Sequence, residues 1–162
     1  MGLFRKKIDI YAPFSGTILP LEEVPDEAFA KKMIGDGLAI QPNQYNYVDV
    51  YSINEQGNIH LFHTHHVISY KIKKLEILFH IGLNTIKIQE KWIEVIGNTI
   101  PLKANINTVL LRVNYNAIVE KGLSPISPII TNTPELLYDI NIHKQFGTPV
   151  SQGDLIMTFH ML

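Results

Sequence analysis

The chain has 162 residues, a formal net charge of −1, 46% hydrophobic and 18% charged residues, and no cysteine. This balance fits a globular chain with a substantial core and excludes a disordered one. The lack of cysteine excludes disulfides, thiolate metal sites and a cysteine nucleophile. The scattered basic residues argue against nucleic-acid binding, which needs clustered Lys and Arg.

The N-terminal stretch MGLFRKKIDIYAP holds one short basic cluster, Arg5-Lys6-Lys7, read as solvated. Charge and proline interrupt it before a signal-peptide core can form, and Lys6 stands where a myristoylation site needs Ser or Thr. No apolar run approaches the roughly 20 residues that cross a bilayer. A soluble cytoplasmic protein without membrane insertion is expected.

Along the chain, short Ile- and Val-rich segments alternate with Gly, Pro and Asn. The pattern predicts strands at Lys7–Tyr11, Gly16–Leu21, Leu38–Gln41, Tyr47–Ser52, Asn58–Phe62, His66–Ile72, Glu76–His80, Thr85–Gln89, Thr108–Val113, Ser127–Thr131 and Leu155–His160. Helical signal is confined to Pro25–Met33, with acids at its start and bases at its end, and to single turns at Asn116–Glu120 and Pro134–Leu137. One all-β domain over residues 1–162 is expected, an antiparallel β-sandwich or partly closed barrel of many short strands with a few short helical turns.

Chemistry concentrates in the histidines, seven in all. In Phe62-His63-Thr64-His65-His66, read as extended backbone, Thr64 and His66 share one face and His63 and His65 the other. Two same-face strand histidines can begin a zinc site. No partner at a recognisable spacing completes one, and solvent-facing residues on an edge strand fit the same pattern. His80 ends the apolar run Ile77-Leu78-Phe79, as expected of a strand covered on both faces. Gly82, two residues on, lets the backbone pass close to the ring, so that its carbonyl can accept from Nδ1 and leave Nε2 bare as a nucleophile. A satisfied core histidine and a reactive one remain open on these features. If His66–Ile72 and Glu76–His80 pair as a hairpin, two imidazoles meet at one end of the sheet, one to attack and one to donate to a transferred anion.

Four blocks, in order over nearly the whole chain, carry a resemblance: IYAPFSGTILPLEEVPDEAFAKKMIGDGLAIQP, HTHHVIS, LFHIGLNTIKI and SPIITN. They resemble the glucose-type enzyme IIA of the bacterial sugar phosphotransferase system. The resemblance implies a β-sandwich of the duplicated-hybrid-motif kind that carries phosphoryl groups on histidine, with no cofactor and no metal. It implies HPr as phosphoryl donor and a cysteine on the IIB domain of a sugar permease as acceptor. By this likeness His80 accepts the group through Nε2, His66 hydrogen-bonds the phosphoryl oxygens, and Thr64 orients His66. Ile34, Phe62 and Leu78 match an apolar docking surface, and Asp36 matches an acid beside the histidines. The sugar is the permease's choice and is not written in this chain.

The departures from that pattern are specific. Asn84 replaces an aspartate of the Gly-Ile-Asp-Thr turn, removing a charge that would face basic residues on a donor. Lys73-Lys74 stands where the turn between the two histidine strands normally has a glycine, and the His66–His80 spacing of 14 is one shorter than the family's. These changes keep open a regulatory protein-binding module with its own protein targets and weakened transfer. A lysostaphin-type zinc peptidase fits poorly, because no histidine precedes His60 to build the upstream half of its site. Lys73-Lys74 is likewise a weak stand-in for the lysine of a lipoyl or biotin carrier.

Overall fold

A computed structural model describes residues 6–97 and 101–162; Arg5 of the basic cluster lies outside them. Among the described residues the strands are β1 (Lys7–Tyr11), β2 (Gly16–Pro20), β3 (Asp36–Pro42), β4 (Val48–Tyr51), β5 (Asn58–Leu61), β6 (Val67–Ile72), β7 (Leu75–His80) and β8 (Ile93–Val95). They continue with β9 (Val109–Val113), β10 (Ser127–Thr131), β11 (Leu137–Ile142), β12 (Pro149–Val150) and β13 (Leu155–Met161). Two short helices, α1 (Glu27–Ala30) and α2 (Tyr115–Glu120), interrupt them. The strands form a seven-stranded sheet, in the order β12-β2-β3-β10-β7-β6-β5, and two three-stranded sheets, β1-β13-β11 and β4-β9-β8. All pairings are antiparallel. The all-β sandwich read from the sequence is the observed fold.

Side-chain alternation explains how one sheet serves two cores. Ile77 and Phe79 of β7, with Ile129 of β10 and Ile68 and Tyr70 of β6, enter a main cluster shared by strands of all three sheets. The opposite face carries Leu78 and Ile130, which pair across β7 and β10 and join a smaller cluster of Leu21, Val24, Phe29, Ala39 and Leu83. α1 brings Phe29 onto this face. Its N-cap is Asp26, whose side chain accepts from the Ala28 N–H at 2.9 Å.

Three expectations need correction. Thr85–Gln89 is not a strand. Thr85–Lys87 forms a 3-10 turn, because Asn84 takes a left-handed backbone (φ 58) and the Lys87 and Ile88 N–H groups bond back to the Asn84 and Thr85 carbonyls. The strand expected from Tyr47 begins at Val48, since Tyr47 itself is left-handed (φ 51). Residues 62–66, expected to be extended through Phe62 and from His66, form a folded connection between β5 and β6. β8, β11 and β12 were not expected from the sequence. β12 is two residues long and β8 three, too short for periodicity to register.

Close packing between strands makes one glycine a test of this topology. A Cβ on Gly37, which pairs with Ile130, would sit 2.1 Å from the Ile129 carbonyl oxygen. Gly37→Ala must therefore part β3 from β10 in the middle of the large sheet. The expected cost is about 2–4 kcal/mol, and for a chain of this size a Tm lowered by about 5–15 °C. Thermal unfolding followed by circular dichroism checks it; an unchanged Tm would refute the packing.

Candidate functional site at the end of the β6–β7 hairpin

The two-residue turn Lys73-Lys74 joins β6 to β7, with Lys73 in the left-handed conformation (φ 56) that such tight hairpins demand. That turn fixes the register, which runs from Ile72↔Leu75 to Val67↔His80. One step further the Ile81 N–H donates to the His66 carbonyl at 2.8 Å. His66 and His80, 14 residues apart in the chain, thus meet at the hairpin's open end.

The connection before β6 does the rest. His65 takes φ 63, its N–H donates to the Phe62 carbonyl at 2.7 Å, and the Phe62 N–H donates to the Val67 carbonyl at 2.9 Å. Within this fold the Thr64 hydroxyl and His66 Nδ1 share a hydrogen bond. The Thr64–His66 association was expected from strand alternation, but a tight loop produces it. His63 and His65 are exposed in that loop and do not stand on a strand face. Among the described residues no group of three or more His, Asp or Glu side chains is placed to hold a metal ion.

His80 is half-buried on the face covered by α1. The Phe29 ring meets its imidazole edge-on, centroids 5.0 Å apart and planes at 81°. Burial pushes the His80 pKa down to about 4; a charge on His66 acts in the same direction, and the Asp26 carboxylate opposes both. Burial also lowers the pKa of His66, whose ring stands perpendicular to Phe62 at 6.3 Å. His80 is therefore a neutral imidazole near pH 7. Its Nδ1 is buried with no hydrogen-bond partner among the described residues. The expected bond from Nδ1 to the Gly82 carbonyl is not present among the described residues, and the turn is held through its N–H groups. The Gly82 N–H donates to Ser127 Oγ at 3.0 Å, and the following Leu83 N–H donates to the Ser124 carbonyl at 3.0 Å. Gly82 itself takes φ 70, and a Cβ there would lie 2.8 Å from Thr85 Cγ2 and 2.9 Å from Ile118 Cδ1.

The other singled-out residues fall in different settings. Ile34 and Phe62 are exposed, 41% and 36%. Leu78 is half-buried on the His80 face, against the smaller cluster. Asn84 is exposed at the turn after His80. Asp36 pairs with Lys32 at 3.5 Å and accepts from the Gly37 N–H at 2.8 Å, while the Asp26 carboxylate acts on the His80 imidazole. Sequence reasoning missed Asp26, Phe29 and Ser127 as neighbours of the site. Asp26 was readable as a helix cap, but nothing local to the sequence says which strand that helix covers.

Comparisons with known proteins converge on one family. The family described as phosphoenolpyruvate-dependent sugar phosphotransferase system, EIIA 1, matches residues 8–136. A glucose-specific EIIA component of Bacillus cereus is 40% identical over 136 residues, covering 82% of this chain and 79% of the relative. The corresponding protein of Staphylococcus aureus is 34% identical over 143 residues, covering 87% and 83%. In three dimensions, the glucose permease IIA of Mycoplasma capricolum superposes with a TM-score of 0.79 at 32% identity, over 98% of this chain and 99% of that one.

The depressed His80 pKa has a consequence for stability. Between pH about 6.5, where an unfolded histidine titrates, and about 4, where folded His80 does, the unfolded chain binds a proton that the folded chain does not. Stability contributed by neutral His80 is therefore present above that window and declines as pH falls through it. Urea midpoints compared at pH 7 and pH 5 should drop more steeply in the wild type than in His80→Gln. Equal drops would show that His80 is not held neutral by the fold.

Proposed function

The chain belongs to the phosphoenolpyruvate-dependent sugar phosphotransferase system EIIA 1 family, and on that footing we propose that it is a glucose-type phosphoryl carrier acting through His80. The observation that carries this reading is the pairing of a neutral, half-buried imidazole with a second imidazole fixed by Thr64 at the same hairpin end.

In the proposed cycle the Nε2 lone pair of His80 attacks the phosphorus of the phosphohistidine on HPr. A new N–P bond forms as the donor's N–P bond breaks, and the donor imidazole leaves with the bonding pair. The group then passes to a cysteine thiolate of a permease IIB domain, an S–P bond replacing the N–P bond to His80. Such transfers depend on in-line placement and on stabilising the three equatorial oxygens. The Thr64 hydroxyl, donating to Nδ1 of His66, leaves Nε2–H of His66 as the donor to those oxygens. Nδ1 of His80, unpartnered in the resting state, gives its proton to a hydrogen bond with the Gly82 carbonyl once Nε2 is occupied.

Ile34, Phe62 and Leu78 form the apolar part of the docking surface, with Asp36 and Asn84 at its polar margin. Among the described residues no helix is long and apolar enough to cross a membrane. We place the carrier in the cytoplasm, where its phosphodonor works, as one domain over residues 1–162. The exposed Ile34 and Phe62, with an asparagine at position 84, also suit a regulatory binding module that does not depend on transfer.

Intact-mass spectrometry after incubation with phosphoenolpyruvate, enzyme I and HPr decides between them. The wild type should gain one acid-labile phosphoryl group and His80→Ala none. His66→Ala should still be labelled but pass the group on ~10²-fold more slowly, having lost a donor to the transferring oxygens. A wild type that stays unlabelled with a competent donor would leave only the binding module.

Docking gives a second test. Asn84→Asp restores a negative charge at an exposed position whose left-handed backbone aspartate tolerates. It should lower KM for phospho-HPr about two- to fivefold at low salt, with the gain fading at high salt. An unchanged KM in steady-state transfer assays would remove Asn84 from the interface.

A further inference from the structure

We propose that Ser127, held in place by Tyr115, is a positioning residue for His80: its buried hydroxyl locks the turn that follows His80 and so sets where the imidazole sits. The inference builds on the phosphoryl-carrier reading, but its decisive readout does not need transfer to occur.

Ser127 opens β10 and is fully buried. Its Oγ accepts from the Gly82 N–H at 3.0 Å and from the Tyr115 hydroxyl at 2.9 Å, and donates to the Pro125 carbonyl at 3.1 Å. One proton and two lone pairs are all in use, the full capacity of a hydroxyl. Tyr115 is also fully buried, and burial raises its pKa well above the ordinary value, so it stays a protonated donor. Its ring is braced edge-on against Phe14 at 5.8 Å, and Phe14 lies 6.4 Å from Phe79, one residue before His80.

The turn itself has little freedom left. The Ile81 N–H is held by the His66 carbonyl at 2.8 Å, the Ile81 carbonyl by the Thr85 hydroxyl at 2.8 Å, and the Leu83 N–H by the Ser124 carbonyl at 3.0 Å. In a trans peptide the carbonyl points opposite to the N–H. Commitment of the Leu83 N–H to Ser124 therefore turns the Gly82 carbonyl away from Ser124, and commitment of the Gly82 N–H to Ser127 fixes the preceding peptide plane. Among the described residues, the bond to Ser127 is the only one holding residues 81–83 that is made to a side chain distant in sequence, 45 residues away. A buried hydroxyl without partners would be costly where an apolar side chain could pack, and of the three bonds that satisfy this one, the bond to the Gly82 N–H is the one that reaches the turn after His80.

Three variants separate positioning from general stability. Ser127→Ala removes the hydroxyl and Tyr115→Phe removes its brace. Thr131→Val, on the same strand, removes a buried hydroxyl that bonds the Glu76 carbonyl at 2.8 Å, toward the other end of β7. All three should lower Tm. Only the first two should move the His80 imidazole titration, followed by NMR, upward from about 4 toward the ordinary value, because a loosened turn admits water to the ring while His66 and Asp26 remain. The same two should slow phosphoryl transfer about tenfold through misplacement of the nucleophile. If Ser127→Ala and Tyr115→Phe leave the His80 titration where Thr131→Val leaves it, Ser127 is structural only and the proposal fails. If the wild type accepts no phosphoryl group, the carrier reading fails, and the titration still decides for or against the Ser127 bridge.

Discussion

Everything at the candidate site depends on the register of one hairpin. With Lys73-Lys74 as a two-residue turn, each residue of β6 has one partner on β7, and the last pair is Val67 with His80. A slip by one residue would turn His80 and Leu78 into the main core and expose Ile77 and Phe79 on the other face. The main cluster, which needs Ile77 and Phe79, therefore enforces the position of a residue that is not part of it. The geometry of the candidate site is a by-product of hydrophobic alternation, which explains how a polar, half-buried imidazole is held although its inner nitrogen has no hydrogen-bond partner among the described residues.

Most of the large-sheet strands were legible in the sequence because their periodicity is strong. Ser127–Thr131 is observed with the expected bounds, as is Lys7–Tyr11 of the β1-β13-β11 sheet, and most others shift by one or two residues at one or both ends. What failed failed for identifiable reasons. Asn84 and His65 adopt left-handed backbone, which turns the segments beside them out of extended conformation although their composition reads as strand. β8 and β12 exist because a neighbour offers a ladder, not because three or two residues prefer it. β11 alternates weakly and is mostly exposed on its outer side.

The site was legible in a different way. His80, His66 and Thr64 were readable as a set through the resemblance and through the idea of a hairpin, and the structure brings them together. Thr64 and His66 are set side by side by a loop and not by alternation along a strand. Asp26, Phe29 and Ser127 were beyond sequence reasoning because their closeness to His80 arises from packing between elements far apart in the chain. Asp26 and Phe29 reach it from α1, and Ser127 reaches the turn from β10.

The division of the apolar side chains into two clusters has a thermodynamic corollary. The cover over His80 rests on the smaller group of Leu21, Val24, Phe29, Ala39, Leu83 and Ile130, while the sandwich rests on the larger one. Four-residue α1 has little helical stability of its own, so the free energy for lifting Phe29 off the imidazole is that of a few contacts and lies far below the free energy of unfolding. Solvent access to the ring and survival of the fold are thereby two separate equilibria. Substitutions at Val24 and Phe29, which lie outside the sheets, can tune the first with less effect on the second than substitutions at Ala39 or Ile130 within β3 and β10.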